Sequence, residues 1–170
     1  MTAAPPPEPG GLLPIEDYVA AMARKRMAAG VLIRDGADRV LWVEPTYKPV
    51  WEIPGGNVEA DESPWDCAVR EVVEEIGLHR PLGRLLVVDH VRPHGPMPEG
   101  VMFVFDGGTL EPSEVDGLVL DARELRSAAL LSVADARALV TPRLADRMAA
   151  ALAALHDGST ALCDDGVRVG

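Results

Sequence analysis

The sequence predicts one α/β or α+β domain whose helices cover a mixed β-sheet. Three observations point there. Short apolar runs with strand character interleave with helical segments. A glycine turn at Gly55 and Gly56 feeds directly into an amphipathic helix bearing three glutamates. The 170 residues contain no internal repeat and no second set of elements, so one core accounts for the chain.

Taken in order, residues 1–12 are rich in Pro and Gly and predict a disordered tail, with a single domain over 13–170. Pro14 to Ala23 can form a short helix. Met27 to Arg34 and Arg39 to Val43 read as strands joined by a turn over Asp35–Asp38, a β-hairpin. Glu44 to Val50, with its two prolines, is a loop, and Trp51-Glu52-Ile53 a short strand. Beyond the acidic helix, Leu82 to Arg92 and Val101 to Phe105 are strands separated by a proline-rich loop. Gly107 to Gly117 is an acidic loop, and Leu118 to Leu120 is short and extended. From Ala122 the pattern turns helical, with a turn at Glu124, a short helix over Val133–Val140 and a longer one from Pro142 to Leu155. Thr160 to Cys163 reads as a last strand.

The acidic helix carries the chemistry. Ser63 is suited to the N-cap, Pro64 to the first helical position, and Gly77 to the C-terminal stop. Trp65, Ala68, Val69, Val72, Val73 and Ile76 form one apolar arc. Glu71, Glu74 and Glu75 share a neighbouring arc, at spacings where like charges repel. A solvated acidic face accounts for them in a chain this acidic. A site for a hard, oxygen-preferring cation such as Mg²⁺ or Mn²⁺ accounts for them as well.

Composition narrows the classes. The net charge of −11 disfavours broad binding to nucleic-acid backbones or anionic membranes. A phosphate substrate stays compatible, because bound cations invert the local field. Two distant cysteines and an N-terminus without signal-peptide pattern predict a reduced, cytoplasmic protein.

The spacing is more specific. Gly56, five residues, Glu62, seven residues, then Arg70-Glu71-Val72-x-Glu74-Glu75-x-Gly77-Leu78 resembles the Nudix box at every defined position. The resemblance implies a Nudix-type α/β/α sandwich, a mixed β-sheet flanked by helices. It implies Mg²⁺-dependent hydrolysis of a nucleoside diphosphate linked to another moiety, by water attack at phosphorus, with Mn²⁺ an alternative cation. It makes Glu74 and Glu75 metal ligands with the Gly55 backbone carbonyl, Glu71 a ligand or base, and Arg70 with Glu62 a brace. A non-catalytic nucleotide-binding module on the same scaffold is the alternative. Family members often dimerise, so a homodimer is one implied assembly, with the helix from Pro142 at an interface or, the preferred reading, buried on its own sheet.

Other positions are less constrained. Members of the family often draw a further acid from a later loop, for which Glu114 leads, then Glu111 and Asp116. Trp51 and Tyr47 are candidates for stacking on substrate, with core packing as the alternative. The tyrosine that marks dinucleoside polyphosphate hydrolases is absent, since Tyr18 and Tyr47 both precede the box. Pro93 lies sixteen residues after Gly77, close to the spacing of a proline carried by ADP-ribose pyrophosphatases. The substrate stays open between a nucleotide sugar such as ADP-ribose and a nucleoside triphosphate.

Overall fold

The structure is a computed structural model and describes residues 13–170. The expected N-terminal tail lies outside the described residues. Strands β1 (Arg26–Arg34), β2 (Val40–Pro45), β3 (Gly55–Asn57), β4 (Leu85–Val91), β5 (Gly100–Thr109), β6 (Leu125–Leu131), β7 (Ala161–Asp164) and β8 (Val167–Arg168) form one sheet. The helices are α1 (Ile15–Ala21), α2 (Pro64–Ile76), α3 (Pro112–Val115), α4 (Val133–Ala136) and α5 (Pro142–Asp157). The sheet runs β6-β2-β1-β5-β4-β7-β8, with β3 on β1. The pairs β1–β5 and β4–β7 are parallel and the others antiparallel, so the sheet is mixed.

Alternation along the strands divides the core in two. Val31, Ile33, Leu41 and Val43 pack with Cys67, Ala68, Val72 and Ile76 of α2. Leu32, Val40, Trp42 and Val104 pack on the opposite face with Leu144, Met148 and Ala151 of α5. The α/β/α sandwich follows from these two apolar faces, and α5 is buried on its own sheet.

The sheet forks where the site forms. Strand β2 registers with β1 only at Arg34↔Val40. Lower down, β3 takes its place, pairing Ala28–Gly30 with Gly55–Asn57, while β2 holds Glu52 through a single bridge at Val43. The short strand expected at Trp51–Ile53 is thus reduced to that bridge, and the true strand lies in the glycine turn itself. Gly55 has φ 150, and a Cβ there would lie 2.3 Å from the Ala29 carbonyl oxygen, so only glycine lets this edge approach β1.

Two further expectations are corrected. The helical reading from Ala122 fails over Leu125–Leu131, which is edge strand β6 on β2. Its Leu-, Arg- and Ala-rich sequence favours helix, and the pairing overrides that weak preference. Strand β5 continues through Gly107 and Gly108 to Thr109, taking the start of the expected acidic loop.

Candidate active site

Helix α2 begins and ends as its sequence dictates. The Ser63 hydroxyl accepts the Asp66 N–H at 3.1 Å, and Gly77 closes the helix with φ 66. Its buried stripe is Cys67, Ala68, Val72, Glu75 and Ile76. That stripe is rotated by roughly 70° from the purely apolar arc, at ~100° per residue, toward the glutamates. Trp65 is left at the rim, edge-on to Phe105, and Val73 is half-buried. The rotation sends the carboxylates of Glu71 and Glu75 inward toward the glycine strand.

Glu75 is only 7% exposed, and its Oε2 accepts the Gly55 N–H at 2.9 Å. Burial pushes its carboxyl up to about 8; the Gly55 N–H opposes the rise, and Glu71, Glu124 and Glu52 add to it. Glu71 is also shifted upward by burial, against the opposing pull of Arg70. A Cβ on Gly56 would meet Glu71 Oε1 at 2.1 Å, so the second glycine makes room for this carboxylate. Glu74, at 59% side-chain exposure, faces solvent.

Arg70 organises the cluster. Its Nε and Nη2 donate to the two oxygens of Glu62 at 2.8 and 2.9 Å, a forked pair. Its Nη1 donates to Glu71 at 2.8 Å and to Glu74 at 3.1 Å. The Arg70 bonds, with help from the Glu59 N–H, hold the Glu62 carboxyl down at about 2. One guanidinium therefore ties the loop before α2 to the carboxylates along it.

The structure places the other sequence candidates differently. Glu114 caps its own short helix, its Oε2 accepting the Glu111 N–H at 2.7 Å, with Glu111 completing the reciprocal box. Outside the helix, the charge of Glu124 raises both Glu71 and Glu75, and that of Glu52 raises Glu75. The segment that carries Glu124 is pinned to α2 by the Val119 N–H to the Ile76 carbonyl at 3.2 Å and the Asp121 N–H to the Glu75 carbonyl at 3.0 Å. Glu74, Asp121, Arg123 and Glu124 line a shared recess. In the sequence Glu124 stands beside Arg123, whereas Glu111, Glu114 and Asp116 cluster in the segment upstream. Trp51 packs beside the α5 face of the core and is not part of the main cavity. Tyr47 does line that cavity and is 70% exposed.

The cavity, about 300 Å³, opens at the fork in the sheet and is walled by Gly55, Gly56, Asn57 and Glu75. Among the described residues no three His, Cys, Asp or Glu side chains are grouped as a metal site. The reason is visible in the bonds above: Arg70 Nη1 holds Glu71 and Glu74. The donor set nevertheless suits a hard divalent cation. Three carboxylates crowd one helix face, and for Glu71 and Glu75 the burial and neighbouring charge that resist ionisation are conditions a cation reverses.

The NUDIX domain family matches residues 24–155. The chain belongs to that family. Human diphosphoinositol polyphosphate phosphohydrolase 3-alpha is 44% identical over 66 residues, which is 38% of this chain and 40% of that protein. The RNA pyrophosphohydrolase of Pseudomonas putida strain F1 is 36% identical over 55 residues, 32% of this chain and 35% of the relative. The chain spans less than half the length of these curated relatives. A crystal structure of UDP-X diphosphatase shares the NUDIX fold, with TM-score 0.69 and 18% identity over 89% of this chain and 76% of that one.

Proposed function

We propose that this chain is a divalent-cation-dependent pyrophosphohydrolase. It cleaves the diphosphate bond between a nucleoside phosphate and a second moiety, a sugar or further phosphate, by water attack at phosphorus. The observation that carries this reading is the convergence of Glu75 and Glu71 on the Gly55-Gly56 strand at the wall of a cavity. Relatives named as pyrophosphohydrolase and phosphohydrolase support the same reaction class.

Glu71, Glu74 and Glu75 hold Mg²⁺ in this reading, with the Gly55 backbone beside them, and Mn²⁺ suits the same oxygens. The chemistry such a cation would supply is neutralisation of the diphosphate and a more acidic water. Glu71 and Glu74, which Arg70 Nη1 now holds, would then serve the cation, and Nε and Nη2 would remain on Glu62. Arg70 and Glu62 thereby act as a brace that keeps α2 aligned with the loop. Glu124, rather than Glu114, is the later-segment acid that meets the attacking water. The rim ring of Tyr47 contacts the substrate's flat face.

Phosphate release from a panel of nucleotide sugars, dinucleoside polyphosphates and nucleoside triphosphates tests the reading. Each is assayed with Mg²⁺, Mn²⁺ or EDTA, coupled to pyrophosphatase or alkaline phosphatase. Turnover of one class that EDTA abolishes supports it. Saturable nucleotide binding with no turnover in either metal would instead indicate a binding module.

A further inference from the structure

The main cavity reverses the charge balance of the protein. The whole chain has 16 Lys and Arg against 27 Asp and Glu. The cavity wall has four cations, Arg26, Lys48, Arg143 and Arg147, against two acids, Glu52 and Glu75. Lys48 is held by Glu52 at 2.7 Å, which leaves three arginines as the wall's cationic part.

These arginines are set apart from the carboxylate centre. On β1, Arg26, Ala28 and Gly30 alternate onto one face, and Gly30 registers with Gly55. Arg26 is four residues from Gly30, about 13 Å along the strand at ~3.3 Å per residue. Ala28 and its register partner Met102 make an apolar stretch of wall. Arg143 and Arg147 come from the first two turns of α5.

The counter-ions lie off the wall. Arg143 pairs with Asp165 at 3.0 Å, and Arg147 gives Nε and Nη2 to Asp89 Oδ2 at 2.7 and 2.6 Å. Neither aspartate lines the cavity. Asp89 is fully buried and also accepts the Gly166 N–H at 3.0 Å, which fixes Arg147 in place. Nη1 of Arg147 makes no hydrogen bond among the described residues, and Arg147 lines the cavity. Arg26 donates only its Nε, to the Pro98 carbonyl at 3.1 Å, and has no carboxylate partner among the described residues.

We propose that Arg26, with Arg143 and Arg147, selects substrates that carry a second anionic group, a phosphate monoester or a carboxylate, remote from the diphosphate. This assignment rests on the pyrophosphohydrolase reading for the location of the diphosphate. It narrows that reading to substrates with charge at both the scissile and the distal position. Planar guanidinium forks match both oxyanions.

The test uses two matched pairs: UDP-glucuronate against UDP-glucose, and coenzyme A against dephospho-coenzyme A. In each, one member has the extra anion. The specificity constant, kcat/KM, is measured in Mg²⁺ for the native protein, Arg26→Gln, Arg26→Lys and Arg137→Gln. Arg137 lies outside the cavity wall and controls for net charge. Affinities for the same four compounds are measured by titration calorimetry on Glu74→Gln protein, with and without the Arg26 change. The anionic member of at least one pair should be favoured about tenfold or more. Arg26→Gln should remove that preference, Arg26→Lys keep part of it, and Arg137→Gln leave it intact. The first pair reports a carboxylate site and the second a phosphate site. Turnover with no preference in either pair, or equal effects of Arg26→Gln and Arg137→Gln, overturns the distal site and leaves the hydrolase standing. A binding preference lost in Arg26→Gln without turnover keeps the distal site and overturns the hydrolase. Absence of both binding and turnover overturns the distal site.

Discussion

Glu75 and Gly55 meet through one hydrogen bond, the glycine N–H to the carboxylate Oε2 at 2.9 Å, across the 20 residues that separate them in sequence. The bond joins the inward face of α2 to the strand that forks the sheet. It fixes one glutamate of the cluster at the cavity wall.

A pH dependence follows from this burial. The Glu75 carboxyl rises from an ordinary 4.5 to about 8 in the folded protein. A raised folded-state value means that the contribution to stability is full below about 4.5 and is lost as pH climbs through about 8. Metal-free protein should therefore melt at falling temperature between these values. Saturating Mg²⁺ or Glu75→Gln should flatten the slope. Thermal denaturation across pH, with EDTA or Mg²⁺, checks this; an unchanged slope in Glu75→Gln would assign it to another group.

Gly55 and Gly56 should fail in different ways. Gly55→Ala places a side chain at φ 150 and 2.3 Å from a backbone oxygen. It should cost about 3 kcal/mol or more of stability. Gly56→Ala meets the movable carboxylate of Glu71 instead. It should spare most of the stability and lower turnover about tenfold or more. Chemical denaturation and initial rates on both variants separate the two effects.

Replacing Arg70 with Lys keeps the charge and loses the fork onto Glu62. Turnover should fall about 10- to 100-fold, as for other groups that orient ligands. The melting temperature should drop modestly, because the Arg70 side chain is 26% exposed and water screens the pair. Rates and melting curves on Arg70→Lys test both parts; wild-type turnover would remove the brace from the account.

Glu124→Gln and Glu114→Gln form a direct contrast. The first should reduce kcat about 10-fold or more. The second should leave kcat and stability close to native, because a glutamine oxygen still accepts the Glu111 N–H. The opposite pattern would return the role to the loop around Glu114.

The pair Asp89–Arg147 is the most buried ion pair in the described residues, with side chains 0% and 8% exposed. Asp89→Ala strands a buried guanidinium and loses the bond to Gly166. It should destabilise the fold by about 3–5 kcal/mol, measurable by denaturant unfolding.

Much of this architecture is legible in the sequence where local chemistry and tertiary packing agree. Ser63, Pro64 and Gly77 bound α2 in the sequence and in the structure alike. The spacing of Gly56, Glu62, Arg70, Glu71, Glu74 and Glu75 identifies the cluster because those side chains meet within one helix and its preceding loop. Legibility ends where a partner distant in sequence decides. Leu125–Leu131 has helical composition and becomes a strand because β2 offers an edge. Glu124 reaches the site because its segment is pinned to the carbonyls of Glu75 and Ile76. Asp89 reads as an acid in a strand, and only the packing of α5 on β4 shows it as the anchor of Arg147. The inward turn of Glu75 is a similar case, since an apolar periodicity count assigns a glutamate to the outside.

In the proposed reaction the carboxylates of α2 carry metal-dependent hydrolysis. Its most direct test is the rate of diphosphate cleavage in native and Glu75→Gln protein over a Mg²⁺ titration, on the substrate class found active, with circular dichroism to verify the fold. The native protein should show saturable Mg²⁺ dependence, and Glu75→Gln should lose about 100-fold or more, beyond the roughly 10–100-fold lost when a group that only orients a ligand is changed. Native-like, Mg²⁺-dependent turnover in folded Glu75→Gln would contradict it.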